Sequence, residues 1–364
     1  MSSATLRYHR IRMADRHSFY DASMLLDQSG RRAPHRRTAQ RIGVWLAGLG
    51  LVLGGVQFLT AAQVQNDARS TFSSTALMTP PPPPAAAAHP PRQTIETLRG
   101  GSAIDGRSYI RAPGARFTVF AHRGAPTIAP ENTLPSDEAA RRSGADWIEN
   151  DVQPSLDGVP HIMHDATVDR TTDGKGRIRD LTAAHLATLD AGKWFQPKFA
   201  GTHVMTLRQQ LEDLRTRGGR LLLEIKNPQS REEIARIIQE VRTNAMTGRV
   251  FVQSFDRESL RITRDLAPEL PLGLLTDEAE PDPVAAAREL RLTSYNASYH
   301  LLAQRPELVG RLHAAGIAVM AWTPDDARDW SALHNAGVDG VITNRTADLV
   351  AWNNQHTGKP AGGP

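Results

Sequence analysis

The chain has 364 residues, 40% hydrophobic and 23% charged, a globular composition with room for one large domain and an appendage. Cysteine is absent, which excludes a disulfide framework, a thiol nucleophile and a zinc–thiolate site. The formal charge of +4 comes from the front of the chain, where residues 1–41 carry nine Arg and three Asp. The remainder is slightly acidic, so nothing points to nucleic-acid binding by the main domain.

Residues 1–41 read as a basic cytoplasmic tail. Residues 42–62 are almost uninterrupted apolar sequence, broken by Gln57 and Thr60. About 20 residues at 1.5 Å each cross a hydrocarbon core of roughly 30 Å, so the segment predicts one transmembrane helix. Arg31, Arg32, Arg36, Arg37 and Arg41 crowd its front and only Arg69 follows closely, which places the N-terminus in the cytoplasm and the rest outside. A cleaved signal peptide ending at Thr60-Ala61-Ala62 is the competing reading and yields a secreted protein. Residues 63–115 form a linker, with a Pro/Ala stretch over 79–91 that favours extended, stiff geometry.

From 116 to 355 strand-like and helix-like segments alternate. Apolar runs occur at Phe117–Phe120, Leu221–Leu223, Val250–Val252, Leu272–Leu275, Ile317–Met320 and Gly340–Ile342, with helical patterns between them at Arg231–Arg242, Pro283–Leu290 and Arg305–Ala315. The alternation predicts an α/β fold with a parallel sheet, and the length matches a closed (β/α)8 TIM barrel; an open doubly wound sheet is the runner-up. Residues 169–204, rich in Arg, Thr, Asp and Gly, are too long for a bare loop and read as a small inserted subdomain over the mouth of the site. Residues 356–364 read as a disordered tail.

Acids, imidazoles and cations gather where the strand-like runs end. Glu149 and Asp151 are separated by one residue, so in a strand both point to one side. Glu224 ends another run and supplies a third carboxylate. Three carboxylates without cysteine select a hard cation, Ca2+ or Mg2+, over zinc. His122 and His164 each follow an apolar run and suit a general acid–base pair, with the division of labour left open. Arg123 and Lys226 adjoin them and suit a phosphate, Arg through a fork and Lys through a point charge. Glu131 reads as an orienter of Arg123, and Asn132 or Thr133 as the cap of the helix that follows. Gln253 and Trp322 sit at later strand ends, Gln253 in support and Trp322 as a wall for the organic part of a substrate. His185, His203, His313 and His334 receive no role.

Taken in order, Ala121-His122-Arg123-Gly124, Pro130-Glu131-Asn132-Thr133, Glu149-Asn150-Asp151-Val152, His164-Asp165, Arg170-Thr171-Thr172, Leu223-Glu224-Ile225-Lys226, Gln253-Ser254-Phe255 and Ile342-Thr343-Asn344-Arg345 resemble the glycerophosphodiester phosphodiesterase family. The similarity runs from about Phe117 to Trp352. It implies a (β/α)8 barrel with a small insertion after the second catalytic histidine. It also implies His122 and His164 as the acid–base pair, Glu149, Asp151 and Glu224 as ligands of Ca2+ or Mg2+, and Arg123 and Lys226 beside the phosphate. The family usually places Thr-Val-Asn after the tryptophan, where this chain has Thr323-Pro324-Asp325, a departure expected to touch only the leaving-group wall. The implied reaction is hydrolysis of a glycerophosphodiester to glycerol 3-phosphate and an alcohol. A lysophospholipase D or related phospholipid phosphodiesterase on the same barrel, and a tethered non-catalytic binding module, are the alternatives.

Overall fold

A computed structural model describes residues 105–226 and 228–356. The expected basic tail, the membrane-spanning segment, most of the linker and nearly all of the C-terminal tail lie outside the described residues. Among the described residues no helix is long and apolar enough to cross a membrane.

In chain order the elements are β1 (Thr118–His122), α1 (Leu134–Arg142), β2 (Trp147–Pro154), β3 (Pro160–Ile162), α2 (Ala183–Leu186), α3 (Leu207–Arg217), β4 (Leu221–Ile225), α4 (Arg231–Thr243), β5 (Val250–Ser254), α5 (Arg257–Leu266), β6 (Leu272–Thr276), α6 (Pro283–Glu289), β7 (Ser294–Ser298), α7 (Tyr299–Gln304), α8 (Glu307–Ala314), β8 (Ala318–Trp322), α9 (Ala327–Asn335), β9 (Gly340–Thr343) and α10 (Thr346–His356). Every strand except β3 is parallel to its neighbours, in the order β1, β9, β8, β7, β6, β5, β4, β2, and β2 pairs with β1 to close the ring. The result is an eight-stranded parallel barrel with helices outside, the TIM-barrel architecture.

Helix starts follow their local chemistry. Ser230 and Thr206 open α4 and α3 with reciprocal capping boxes to Glu233 and Gln209, and Thr133 caps α1. On α4, Ile234, Ile237, Ile238 and Val241 form one apolar face toward the barrel.

Strand alternation separates two cores. Residues such as Val250, Val252, Val319 and Ala321 face outward into the layer beneath the helices. Their neighbours face inward, where Phe120, Trp147, Leu222, Phe251, Ala318, Met320 and Ile342 fill the barrel floor. Gly340 makes room for this layer, since a Cβ there would fall 2.6 Å from both Met320 Sδ and a ring carbon of Phe120.

Two features differ from the sequence-based expectation. Residues 105–115, which composition assigns to the linker, pack against the barrel floor. Tyr109 and Ile110 join the inner core, and Arg111 donates to the Val338 carbonyl (2.6 Å) and, through its backbone N–H, to Asp339 (2.9 Å). A hydrophobicity reading misses this strap because one aromatic and one isoleucine carry it. The second difference is β3, an antiparallel strand that turns back along β2, so that His164 leaves from this hairpin and not from a barrel strand. The segment that follows, up to α3, has its own core of Met163, Val168, Ile178, Leu186, Leu189, Ala191 and Val204.

Candidate active site

Strand register assembles the acids. On β2, Glu149 and Asp151 both point inward and are almost wholly buried, while Asn150 between them points out to Asp137 of α1. Asp151 pairs in register with Glu224 on β4, and Glu224 with Gln253 on β5, so the three side chains lie in one row. Oxygens of Glu149, Asp151 and Glu224 come within 4.8 Å of one another. Gln253 donates to Glu149 (3.2 Å) and accepts from Asn296 (2.8 Å), which extends a polar layer across the barrel above the apolar floor.

Three buried carboxylates so close repel strongly, about 4 kcal/mol per pair at 4 Å under an effective dielectric of ~20. Burial, with the charges of Asp151 and Glu224, pushes the Glu149 carboxyl well above the ordinary carboxylate range. Burial also raises Glu224, against the pull of the Lys226 ammonium 2.8 Å away. Asp151 moves the other way: burial lifts it, but Lys226, His164, Arg123 and the Asn132 amide together hold it well below the usual range. Lys226 stays firmly protonated, because Glu224 and Asp151 outweigh its own burial. Asp151 Oδ1 is buried and receives no hydrogen bond, with the Lys226 ammonium 3.5 Å away. An all-oxygen, buried, electron-rich trio with one oxygen lacking a hydrogen bond fits a hard divalent cation.

The turn after β1 carries the next functional groups. Arg123 takes a positive φ of 55°, an uncommon conformation for a non-glycine residue, and Gly124 follows at 86°. That turn aims the Arg123 backbone N–H at Glu149 Oε2 (2.9 Å) and its guanidinium at Glu131 (3.0 Å). Glu131 therefore stands beside Arg123. Asn132, at φ 58°, donates to Asp151 Oδ2 (2.9 Å).

The two imidazoles are oriented differently. His122 Nδ1 lies 2.7 Å from Asn344 Oδ1. The Asn344 amide nitrogen donates to Asp325 Oδ2 (2.7 Å), which assigns its oxygen to the histidine and so puts the proton on Nδ1, leaving Nε2 as an acceptor. Burial and the neighbouring Arg123 lower the His122 pKa to about 3. His164 Nδ1 instead faces a carboxylate, Asp165 Oδ1, at 2.7 Å. The Gln153 amide donates to the carbonyls of Met163, His164 and Asp165, which pins this turn to β2.

Trp322 ends β8 at the mouth, its indole N–H bonded to the Asn296 carbonyl and its ring edge-on to Phe255 at 5.4 Å. Phe255 is 44% exposed and extends the aromatic wall. The departure at Asp325 has another place: it accepts from Asn344 and from Thr343 Oγ1, and so lies under His122 and not at the wall. Gln153, Asn296, Asp325 and Asn344 received no role from the sequence, and Asn132, read there as a possible helix cap, leaves the cap to Thr133 and turns to Asp151. Their signal was present in the motifs, but a supporting amide has no spacing signature of its own.

A model of the glycerophosphoryl diester phosphodiesterase family matches residues 122–348. The chain is 36% identical over 237 residues to a glycerophosphodiester phosphodiesterase of Caldanaerobacter subterraneus subsp. tengcongensis, covering 64% of this chain and 96% of that protein. It is similar to the structure of an Oleispira antarctica phosphodiesterase in complex with the product sn-glycerol-3-phosphate, with 28% identity, a TM-score of 0.62, and coverage of 68% of this chain and 99% of that one. A glycerophosphodiester phosphodiesterase from Agrobacterium tumefaciens matches at 31% identity and a TM-score of 0.58, over 65% of this chain and 99% of that one.

Proposed function

The chain belongs to the glycerophosphoryl diester phosphodiesterase family and is a phosphoric diester hydrolase of that class, and from that premise we propose how its residues work. The substrate is a glycerophosphodiester, cleaved to glycerol 3-phosphate and an alcohol. The product bound to the Oleispira relative supports glycerol 3-phosphate as the released half. Glu149, Asp151 and Glu224 would hold a hard divalent cation, Ca2+ or Mg2+, which when bound would supply charge neutralisation and Lewis acidity for the reaction.

Arg123 and Lys226 hold the phosphate from the β1 and β4 sides. His122, kept neutral with its proton on Nδ1, takes the proton of the attacking oxygen (from water or the glycerol 2-hydroxyl) at Nε2. His164, whose Nδ1 faces the Asp165 carboxylate, delivers a proton from Nε2 to the leaving alcohol. The P–O bond to the alcohol breaks as the new P–O bond forms: attack by water gives glycerol 3-phosphate directly, whereas attack by the 2-hydroxyl gives a cyclic phosphate that water then opens, His164 taking the proton of that water and His122 returning its proton to the 2-oxygen. Trp322 and Phe255 wall the organic part of the substrate.

The observation that carries this reading is the buried carboxylate trio flanked by two differently partnered imidazoles. Release of glycerol 3-phosphate from a panel of head-group diesters should stop on chelation and return with Ca2+ or Mg2+. Undiminished turnover by Glu224→Gln in excess chelator would refute the metal assignment.

The one-sided arginines around residues 42–62 support a membrane-crossing segment with the barrel outside the cytoplasm, and the roughly 41 residues before it, long for a signal peptide, favour an uncleaved anchor. A reporter fused after Pro91 that is active only in the cytoplasm would refute that placement.

A further inference from the structure

The segment after β3 reaches back into the site through one side chain, Arg170. Its guanidinium grips two carboxylates at once. Nε and Nη2 donate to Asp165 Oδ2 (2.7 Å) and Oδ1 (3.0 Å), while Nη1 and Nη2 donate to Glu131 Oε2 (2.8 Å) and Oε1 (2.8 Å). Each carboxylate has a second customer within the site. Asp165 Oδ1 also takes His164 Nδ1 at 2.7 Å, and Glu131 Oε1 also takes Arg123 Nη1 at 3.0 Å. An unbroken line of charge-assisted bonds therefore runs Arg123–Glu131–Arg170–Asp165–His164. A planar fork on each side of Arg170 removes the rotation that a lone carboxylate keeps.

We propose that Arg170 and Glu131 are positioning residues that register the proton-delivering imidazole of His164 against the phosphate-binding guanidinium of Arg123. The inference rests on the acid assignment made above. General-acid catalysis needs the donor nitrogen aligned with the leaving oxygen, and the phosphate held by Arg123 sets where that oxygen is. Misplacement by about 1 Å can cost up to ~10²-fold in rate. The guanidinium of Arg170 is taken up by Asp165 and Glu131, so it acts on His164 through Asp165. Glu131 acts on both ends, through Arg123 and through Arg170.

A purely structural role for Arg170, fastening this segment to the barrel, is separable. The same segment has another tether, Arg179 Nη1 to Glu233 Oε1 at 2.8 Å on α4, far from either histidine in the bonding scheme. Arg179→Gln therefore sets the baseline for loosening the segment alone. The assay compares the full-length protein on glycerophosphoethanolamine, whose alkoxide leaving group needs a proton, and on the p-nitrophenyl diester of glycerol 3-phosphate, whose leaving group hardly does.

Arg170→Gln is expected to lower kcat on glycerophosphoethanolamine by about 10–100-fold, the range typical of an orienting partner, with KM little changed and only a few-fold loss on the p-nitrophenyl ester. Arg170→Lys is expected not to restore it, because an ammonium cannot form both forks. Glu131→Gln is expected to show the same leaving-group dependence and, in addition, a raised KM on both substrates. Equal losses by Arg170→Gln on the two substrates, or losses no larger than those of Arg179→Gln, would overturn the inference. His164→Ala runs in parallel. If it shows the leaving-group dependence while Arg170→Gln does not, the acid assignment stands and the positioning role falls. If His164→Ala lacks the dependence, both fall together.

Discussion

Replacing Tyr109 with alanine removes the ring that closes the barrel floor. Tyr109 belongs to a short 3-10 turn, Gly106–Tyr109, that Asp105 caps and that lies outside the family match beginning at residue 122. The ring meets Phe251 edge-to-face at 5.3 Å and, partly buried, packs against the inner core that also holds Trp147, Phe120 and Met320. A tyrosine that gives up about 150 Å² on folding contributes about 4 kcal/mol at 25 cal/mol per Å². A compact unfolded chain removes up to ~40% of that figure, and the edge-to-face contact adds back about 1 kcal/mol. The expected loss is therefore about 3 kcal/mol, near the lower end for a buried aromatic. Urea unfolding should show the midpoint fall by roughly 1 M or more. The turn is seated by Gly106, where a Cβ would fall 2.3 Å from the Thr293 carbonyl oxygen and 2.5 Å from that of Gly316, so Gly106→Ala should unseat it and reproduce much of the loss. A fragment beginning at residue 93 should keep this stability and one beginning at 116 should lose it. Because the floor lies at the end of the barrel opposite the carboxylates, turnover per folded molecule should not change. A loss under about 0.5 kcal/mol for Tyr109→Ala, the range of an ordinary surface substitution, would refute the assignment of residues 105–115 to the barrel.

Two further outcomes follow from the site and its supports. His122→Ala and His164→Ala should each lose about 10²–10⁴ in rate on natural diesters without loss of fold, and the double variant should lose less than the product, since both groups act in one transition state; near-wild-type rates for both would remove the two-histidine mechanism. Asp137, behind β2 and bonded to Asn150 (3.1 Å) and Gln210 (2.8 Å), is pushed up to about 7 by burial from an ordinary value of 3.8. A carboxyl raised by folding stabilises the protein fully below its unfolded pKa, and that contribution is lost as pH climbs through the folded one. Wild type should thus lose ~4 kcal/mol between pH 4 and pH 8 that Asp137→Asn does not lose. Parallel pH slopes of unfolding free energy for the two proteins would contradict this.

The strand–helix alternation, the closed-barrel size and the residue types of the site were all legible in the linear chain. Each depends on a short-range rule: continuous apolar runs for β5 and β8, which are buried along nearly their whole length, apolar spacing for α4, and the i, i+2 geometry that turns Glu149 and Asp151 to one side. Tertiary structure alone decided what each group meets. Register, not spacing, sets Asp151, Glu224 and Gln253 in one row, because hydrogen bonding between strands fixes neighbours that lie far apart in sequence. The antiparallel β3 gives His164 a different approach from His122, although both follow similar apolar runs. An amide under His122 and a carboxylate beside His164 distinguish two imidazoles that sequence presents as equivalent. Arg170 reaches Glu131 across 39 residues, and Tyr109 reaches Phe251 across the barrel floor, because side-chain partners are chosen by the closed ring and the sequence carries no local mark of that choice.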